Sequence, residues 1–378
     1  MKLAHMSDLH LGKRLHEFSL LEDQEYILTQ ALEIIKEKEV EGVIIAGDVY
    51  DKSIPSADAV QLFDDFLTRL AGLGVSIFVV SGNHDSPERV AYGSRLLDPL
   101  RIYLSPVFRG DVKPVVLEDD HGEIYFYMMP FVKPATVRKA YPDEEIQTYH
   151  GAVKAVIDHM EVDPAKRNIL IAHQFVTGAT RSDSEDVSVG GVDNVDVEAF
   201  APFDVVALGH LHSPQWVGRE TIRYCGTPLK YSVSEVDHIK SLTLLHIGPK
   251  GSLDVETVPF RPMRDLRKIK GSYMELTAKE SYQDTDTEDY IHATLTDEHD
   301  ILDAMAKLRT IYPNMVGLEY DNARTQNHQQ VGAATDLEKK SPLDLFGDFY
   351  EMQNNAKLDP SQRAFMEEIM EEIWEGRS

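Results

Sequence analysis

VIIAGDVYD, residues Val43–Asp51, is the most informative stretch of this 378-residue chain. Its first four residues are apolar and mostly β-branched, a composition that predicts a strand buried on both faces. The strand runs into Gly47 and then directly into the carboxylate of Asp48. Because open α/β sheets carry their chemistry in the loops that follow the strands, we expect Asp48 to lie in a functional site.

The same arrangement, an apolar run that ends in polar side chains, recurs along the chain. Helical patterns at 23–38 and 56–71 separate the first of these runs, so we predict parallel strands joined by crossover helices. The carboxyl ends of such strands lie at one edge of the sheet, where we expect their polar residues to meet. The candidate metal ligands at this edge are Asp8, His10, Asp48, Asn83, His173, His210 and His212.

Carboxylate, amide and imidazole groups together suit divalent ions such as manganese, iron or zinc. A single cysteine, Cys225, excludes a thiolate cluster and an intramolecular disulfide. The candidate ligands are too many for one tetrahedral zinc ion but suit two octahedral ions that share a carboxylate, and Asp48 is the natural bridge. Two such ions, about 3.5–4 Å apart, stabilise the attacking and leaving oxygens of a phosphoryl displacement.

The composition, with 42% hydrophobic and 27% charged residues, is typical of a soluble globular enzyme. There is no apolar run of membrane-spanning length and no signal-peptide core at the N-terminus, so we expect a cytoplasmic protein without a membrane partner. The net charge of −26 argues against a simple basic groove for nucleic acid. A polyanionic substrate would need metal ions, a partner subunit or a rim of cations, for which the candidates are Lys13, Arg14, Arg89 and Lys230.

Shifts in composition divide the chain into a catalytic domain (1–265), a small domain (266–322), a polar linker (323–340) and a C-terminal helical segment (341–378). In the small domain we predict a strand over Tyr273–Thr277. In the last segment, Asp359 followed by Pro360 and Gln362 is typical of a helix N-terminus. This helix has an apolar face that we expect either to bind a partner protein or to pack on its own domain: Phe365, Met366, Ile369, Met370, Ile373 and Trp374.

The order of the motifs is more specific than any one of them. The chain contains, in sequence, Asp-x-His, Gly-Asp-x-x-Asp, Gly-Asn-His-Asp, a histidine at a strand end and Gly-His-x-His. This set resembles the calcineurin-like metallophosphoesterase superfamily. Within it, the chain resembles the SbcD family of bacterial nucleases through six stretches: Ser7–Gly12, Ala46–Asp51, Gly82–Ser86, Gly190–Asp193, Ala207–His212 and Tyr224–Ser232.

The resemblance implies an α/β fold, a four-layer αββα sandwich of two sheets between helices, with a small α+β capping domain that faces DNA and a helical tail. It assigns one ion to Asp8, His10, Asp48 and His212, and the other to Asp48, Asn83, His173 and His210. His84 would then be the catalytic histidine that faces the scissile phosphate, although it could instead be structural. Asp85 would orient a histidine ligand through its second ring nitrogen, or it would only cap the next helix.

The function that the resemblance implies is a manganese-dependent DNA nuclease, with Mg²⁺ or Fe²⁺ as substitutes. It would act as a double-strand exonuclease and as an endonuclease on single strands and hairpins, in DNA end processing, repair, recombination and replication. Its partners would be an SbcC-type ATPase, DNA and a second copy of the chain, which together form a heterotetramer. The helices 23–38 and 56–71 are the candidates for the homodimer contact.

Two other readings of the same residues stay open. In one, the two-metal site hydrolyses a small phosphodiester or a phosphoprotein, although the small domain and the tail are more than such an enzyme needs. In the other, the chain is a non-catalytic scaffold, but the complete set of ligands argues against this. One departure from the family pattern concerns Asp51-Lys52-Ser53, where archaeal and eukaryotic relatives carry a second catalytic histidine. We therefore assign no second-histidine role.

Overall fold

The structure is a computed structural model and describes residues 1–180, 182, 185, 194–322, 343–347, 350 and 357–375. It divides into two compact units, Met1–Asp265 and Leu266–Ser378. The Gly190–Asp193 motif and the predicted linker 323–340 lie outside the described residues.

Strands alternate with helices through much of the first unit. Its strands are β1 (Lys2–Met6), β2 (Arg14–Leu15), β3 (Phe18–Ser19), β4 (Gly42–Ala46), β5 (Ser76–Val80), β6 (Ile102–Leu104), β7 (Val115–Asp119), β8 (Gly122–Met129), β9 (Arg167–His173), β10 (Val205–Gly209), β11 (Gln215–Val217), β12 (Arg219–Tyr224), β13 (Ser241–Ile247) and β14 (Leu253–Pro259). Its helices are α1 (Leu21–Glu37), α2 (Ala57–Gly72), α3 (Pro87–Val90), α4 (Ser94–Leu97), α5 (Pro134–Ala140) and α6 (Tyr149–Asp158). Short 3₁₀ turns lie at Asp98–Leu100, Val197–Phe200 and Val233–Glu235.

The long strands of this unit form two six-stranded sheets. The first sheet has the order β14-β13-β1-β4-β5-β6, and the second has the order β11-β12-β10-β9-β8-β7. Strands β1, β4, β5 and β6 are parallel, as are β8, β9, β10 and β12, while antiparallel strands complete each sheet. The parallel strands that are adjacent in each sheet therefore end at the same edge, as predicted from the crossover pattern.

The two sheets pack face to face, and helices cover the outside. Alternate side chains of β1, β4 and β5 meet those of β8, β9 and β10 in one apolar layer, where Phe78 stacks on Phe126 with ring centroids 4.4 Å apart. Helix α6 packs on the other face of the second sheet. Helices α1 and α2 contact each other and bury their apolar stripes beside the first sheet. These four layers are the predicted αββα sandwich.

The second unit contains strands β15 (Leu266–Gly271), β16 (Tyr290–Leu295) and β17 (Met315–Tyr320), with helices α7 (Tyr273–Thr277), α8 (Lys279–Tyr282), α9 (Ala304–Leu308) and α10 (Pro360–Glu375). The three strands are parallel and are joined by helices. Ile291, Ala293 and Leu295 of β16 form its apolar core together with Leu276 and Leu308.

The predicted strand over Tyr273–Thr277 is wrong, because these residues form α7. Ser272 accepts a hydrogen bond from the main-chain nitrogen of Glu275, and the Glu275 carboxylate accepts one from the main-chain nitrogen of Ser272. This capping box satisfies main-chain donors that a helix start leaves free. The capping bonds outweigh the strand preference of the aromatic and β-branched residues that follow.

Among the described residues, no helix has the length and apolar character needed to cross a membrane.

Candidate metal centre

The predicted ligands lie in loops that follow β1, β4, β5 and β10, except His173, which is the last residue of β9. Asp8, His10, Asp48 and His210 all have positive φ angles, of 52°, 43°, 50° and 107°. Residues other than glycine rarely adopt this region, because the Cβ atom is crowded against the main chain. Such backbone conformations persist only where the surroundings hold them in place, and they are concentrated at functional sites.

Two glycines allow these loops to approach one another closely. Gly47 has a φ of +88°, and a Cβ atom added there would clash with the imidazole of His173. A Cβ atom at Gly82 would clash with the carboxylate and the main-chain nitrogen of Asp48. The glycines of the Gly-Asp and Gly-Asn motifs therefore make the room in which the ligands meet.

The ligand atoms form overlapping groups around Asp48. Three sets each have ligand atoms within 4.8 Å of one another: Asp8, His10 and His212; His10, Asp48 and His84; and Asp8, Asp48 and His173. Asp48 Oδ2 lies 3.3 Å from His173 Nε2, 3.7 Å from His10 Nε2 and 3.9 Å from His84 Nε2. The carboxylate thus lies between the two predicted ligand sets.

Asn83 brings the remaining ligands together. Its Oδ1 lies 3.0 Å from His173 Nε2 and 3.0 Å from His210 Nδ1. The main-chain nitrogen of His210 donates to both oxygens of Asp8 at 3.1 Å. The structure therefore brings all seven predicted ligands and His84 into one cluster.

The donor set fits divalent metal ions. His10 is 1% exposed, and neither of its ring nitrogens has a hydrogen-bond partner among the described residues. A buried imidazole with two free nitrogens loses its hydration without compensation, and a metal ion supplies the missing partner. Carboxylate, amide and imidazole groups in one place are the ligands of such ions.

The charges in the cluster are strongly coupled. Burial opposes ionisation of Asp48, but the neighbouring His173 and His10 hold the pKa of Asp48 below its ordinary value. In turn, Asp48 raises the pKa of His173 to about 9 despite the burial of the ring. Burial lowers the pKa of His10 and raises that of Asp8. Because the raised pKa of His173 favours its protonation, a cation that binds this ring competes with a proton.

His84 differs from the other histidines of the cluster. Its side chain is 22% exposed, whereas those of His10, His173 and His212 are at most 3% exposed. His84 Nδ1 lies 2.9 Å from the carbonyl oxygen of Asp51, which leaves Nε2 to face the site. Its main-chain nitrogen donates to Asp48 Oδ1 at 2.9 Å. The ring is thus fixed beside the bridging carboxylate and open to an incoming substrate.

The hydrogen-bond partners of Asp85 differ from the predicted ones. Its carboxylate accepts hydrogen bonds from the main-chain nitrogens of Val49 at 3.1 Å, Tyr50 at 3.0 Å and Gly82 at 2.9 Å. Within the described part of the chain it binds no histidine ring, and the next helix is capped by Ser86 instead. Asp85 therefore ties the loop after Asp48 to the loop before Asn83, and it orients these ligands through the main chain.

Glu235 contacts a predicted histidine ligand, and it was not among the predicted site residues. Its Oε1 lies 3.2 Å from His212 Nδ1, and its Oε2 accepts from Lys240 Nζ at 2.6 Å. Burial opposes the charge of Glu235, but His212 and Lys240 lower its pKa to about 2. Glu185 also contacts this ligand, because it accepts from the main-chain nitrogen of His212 at 2.6 Å.

We predict that Glu235→Gln weakens metal binding by about 10–100-fold, the usual effect of removing the partner of a metal-binding histidine. It should also lower the free energy of unfolding by about 3–5 kcal/mol, because Lys240 stays buried without a counter-charge. Mn²⁺ titration of the metal-free protein and chemical denaturation measure the two effects. The exposed Glu220→Gln is the matched control. Wild-type metal affinity in Glu235→Gln would contradict the role of Glu235.

Comparisons with known proteins agree with this geometry. The calcineurin-like phosphoesterase family model matches residues 1–214, and the model for the Type 5 capsule protein repressor C-terminal domain matches residues 262–354. The SbcD subunit of the nuclease SbcCD from Staphylococcus epidermidis is 34% identical, over 96% of this chain and 96% of that protein. The chain belongs to the SbcD family. The Staphylococcus saprophyticus protein of the same name is 33% identical, over 99% of each chain.

Among solved structures, a dimetal phosphatase from Danio rerio aligns with a TM-score of 0.41 and 11% identity, over 68% of this chain and 95% of that chain. Membership in the SbcD family confirms the predicted fold class and makes the chain a phosphodiester-hydrolysing enzyme. The cluster of histidines and carboxylates around Asp48 indicates a two-metal site in this SbcD-family enzyme.

Proposed function

We propose that this chain is the nuclease component of an SbcCD complex and cleaves DNA with two manganese ions, for which Mg²⁺ or Fe²⁺ can substitute. The observation that carries the proposal is the position of Asp48, whose Oδ2 lies within 3.3–3.7 Å of a histidine from each ligand set. Relatives named as components of a nuclease align over nearly the whole chain, which supports a DNA substrate.

In this proposal, one ion is held by Asp8, His10, Asp48 and His212, and the other by Asp48, Asn83, His173 and His210. When bound, the two ions supply Lewis-acid activation of the phosphate and of water. Buried loops with strained main chains keep the ligands in place before substrate arrives. The imidazole of His84, whose Nδ1 is held by the carbonyl of Asp51, stabilises developing charge or gives a proton to the leaving oxygen from Nε2.

The residues around the site explain only part of how an acidic protein can act on DNA. An open cleft of about 330 Å³ beside the His10 loop is lined by Lys13, Arg14, Leu15, His16, Tyr231, Ser232 and Val233. However, Lys13 pairs with Asp51 at 2.9 Å, and Lys230 pairs with Asp265 at 2.9 Å. This rim is closer to neutral than to basic, so we propose that the ATPase partner supplies further positive charge for DNA.

The test compares two substrates with the same enzyme and Mn²⁺. We expect cleavage of linear duplex DNA and of a DNA hairpin, with weak turnover of a chromogenic phosphodiester. Addition of the ATPase partner should increase the DNA reaction. Efficient turnover of the small phosphodiester with no cleavage of either DNA would instead support a small-substrate hydrolase and contradict the proposal.

We propose that the C-terminal helix α10 docks on the ATPase partner. Asp359 accepts from the main-chain nitrogens of Ser361 and Gln362, and Gln362 accepts from that of Asp359, so the predicted cap is confirmed. Phe365 is 61% exposed, and Met366, Ile369 and Met370 are partly exposed. The side chains of Ile373 and Trp374 lie outside the described residues. An exposed apolar stripe on a helix is typical of helix-to-helix recognition.

We predict that deletion of residues 341–378 abolishes retention of the SbcC-type ATPase in a pull-down assay. A milder variant, Phe365→Ser, should reduce retention, whereas Arg363→Ser on the same helix should not, because Arg363 faces Asp344 within the tail. Undiminished retention after the deletion would show that the apolar face packs on its own domain.

We further propose a cytoplasmic heterotetramer with two copies of this chain. Of the helices predicted to pair, α1 buries most of its apolar residues inside its own unit, and α2 buries Ala59, Phe63, Phe66 and Leu70. In contrast, Tyr92, Leu96 and Leu100 are 85%, 81% and 63% exposed at a spacing of four residues. Exposed apolar patches of this kind mark interaction sites. We therefore expect the homodimer contact there.

Leu96→Asp is predicted to convert the dimer to a monomer, because it places a charge among these exposed apolar residues. Sedimentation velocity measures the change. Val116→Asp, at another exposed apolar position of the same unit, is the control and should stay dimeric. A dimer of wild-type strength in Leu96→Asp would exclude this surface.

A further inference from the structure

His10 lacks the support that three other histidines of the centre have. His173, His84 and His212 each place Nδ1 near a fixed acceptor, namely the carbonyl oxygens of Ala46 and Asp51 and the carboxylate of Glu235. For His10, the nearest carboxylate oxygen to Nδ1 among the described residues is that of Asp51 at 3.9 Å, too far for a hydrogen bond. Metal-binding histidines normally need such a partner to keep their orientation. The position of His10 must therefore be set in another way.

The main chain around His10 is held by two buried side chains. Gln24 Nε2 donates to the carbonyl oxygens of Leu9 at 3.1 Å and His10 at 2.8 Å, and Gln24 Oε1 accepts from the main-chain nitrogen of Gly12 at 3.0 Å. Tyr231 Oη donates to the same Leu9 carbonyl at 2.5 Å and lies 3.1 Å from Gln24 Nε2. Gln24 and Tyr231 are 2% and 4% exposed.

These bonds act on a strained segment. The φ angle of His10 is +43°, which costs energy for a residue with a Cβ atom. Main-chain bonds, such as that from the His10 nitrogen to the Asp48 carbonyl oxygen at 2.9 Å, also hold this segment. We expect loss of the side-chain bonds to loosen it enough to shift the imidazole. Because Gln24 binds residues on both sides of the strained position, it has the geometry needed to hold that conformation.

The sequence neighbours of both side chains bind one further segment. Asp23, beside Gln24, is 1% exposed and accepts from Arg264 Nε at 3.0 Å and from Arg264 Nη2 at 2.8 Å. Lys230, beside Tyr231, pairs with Asp265 at 2.9 Å. Arg264 and Asp265 are the last two residues of the first unit. In each of the pairs Asp23–Gln24 and Lys230–Tyr231, one residue therefore binds the His10 loop and its neighbour binds the end of this unit.

We propose that Gln24 and Tyr231 are positioning residues that hold His10 through its main chain, and that Arg264 and Asp265 brace them from the end of the first unit. This inference rests on the proposed function, in which His10 is a ligand of one of two metal ions. It predicts that loss of the hydrogen bonds weakens the binding of that ion and leaves the affinity for the other ion unchanged.

The first experiment titrates Mn²⁺ into metal-free Gln24→Met and Tyr231→Phe, with free Mn²⁺ followed by electron paramagnetic resonance. Both substitutions keep the volume of the side chain and remove its hydrogen bonds to the main chain. We expect one of the two ions to bind about tenfold more weakly or worse, as after the loss of a ligand's supporting partner. Gln61→Met, at an exposed glutamine of α2, is the control and should bind both ions as the wild type does.

His10→Gln is measured in parallel to separate the two levels of the argument. If His10→Gln binds both ions as the wild type does, the proposed metal centre fails. If His10→Gln weakens one ion while Gln24→Met and Tyr231→Phe bind both normally, the positioning role fails and the metal centre stands. Thermal unfolding of the metal-free variants shows whether a lower affinity for an ion reflects a general loss of folding.

The bracing residues have a test of their own. Asp265→Asn and Arg264→Met should lower the affinity for the same ion several-fold, which is a smaller effect than that of Gln24→Met. Arg261→Met is the matched control, because Arg261 contacts α1 through its main chain, at Gln30. Arg264→Met leaves Asp23 buried without its partner and could fold poorly for that reason. Asp265 is half-exposed, so Asp265→Asn still tests the bracing role if Arg264→Met does not fold. Normal affinity for both ions in Asp265→Asn and in folded Arg264→Met would overturn the bracing role.

Discussion

Asp48→Ala is expected to remove both metal ions at once and to reduce DNA cleavage to the background of the assay. Asp48 is the only predicted ligand assigned to both ions, and its Oδ2 lies 3.3 Å from His173 Nε2 and 3.7 Å from His10 Nε2. It is also the carboxylate that raises the pKa of His173. Without it, each ligand set loses an oxygen and a negative charge close to one of its histidines. The activity should fall by at least the factor of about 10²–10⁴ that one catalytic group contributes.

Metal content distinguishes this result from damage to a single ligand. Inductively coupled plasma mass spectrometry should find nearly two ions per chain in the wild type and close to none in Asp48→Ala. His173→Ala and His212→Ala should each lose mainly one. Asp48→Asn adds a finer comparison, since it retains an acceptor for the main-chain nitrogen of His84 but lacks the charge. If Asp48→Ala keeps one ion at wild-type affinity, Asp48 is not the bridge.

Replacing His84 by glutamine should have the opposite pattern, with both ions retained and kcat lowered by about 10²–10⁴-fold. The ring is held by the carbonyl of Asp51 through Nδ1, and its Nε2 lies 3.9 Å from Asp48 Oδ2. It is also the most exposed imidazole of the cluster. These features suit a group that acts on the substrate and not on the ions.

Single-turnover cleavage of a short duplex, together with metal analysis of the same samples, tests this prediction. His121→Gln, at an exposed histidine of the same unit, should have wild-type activity and metal content. Loss of an ion in His84→Gln would place His84 among the ligands. Unchanged kcat would leave the ring with a structural role only.

The side chains of the cluster were predictable from sequence because each follows an apolar run whose secondary structure is decided locally. Val43–Ala46 and Ile169–Ala172 are apolar on both faces, so their burial in parallel strands follows from composition alone. Parallel strands joined by helices must end at one edge, and the residues after them then converge. Position along the chain was enough to group Asp8, Asp48 and His173.

The residues that support the ligands were not predictable in the same way. Asp85 precedes a short helix, and its sequence context suggested a cap or a histidine partner. Its real partners are main-chain nitrogens of Val49, Tyr50 and Gly82, which any residue type except proline could supply. Glu235 stands 23 positions after His212, and only the packing of the loops brings their side chains within 3.2 Å.

The sequence by itself determined which side chains could bind metal and at which edge they would meet, because local strand and loop preferences depend on neighbouring residues. Only the tertiary structure decided that Gln24 and Tyr231 bind the main chain at Leu9 and His10, and that Glu235 contacts the ring of His212. These contacts join segments far apart in the chain and include main-chain atoms that carry no sequence signal. Their energies depend on distance and burial, which exist only after the sheets have packed.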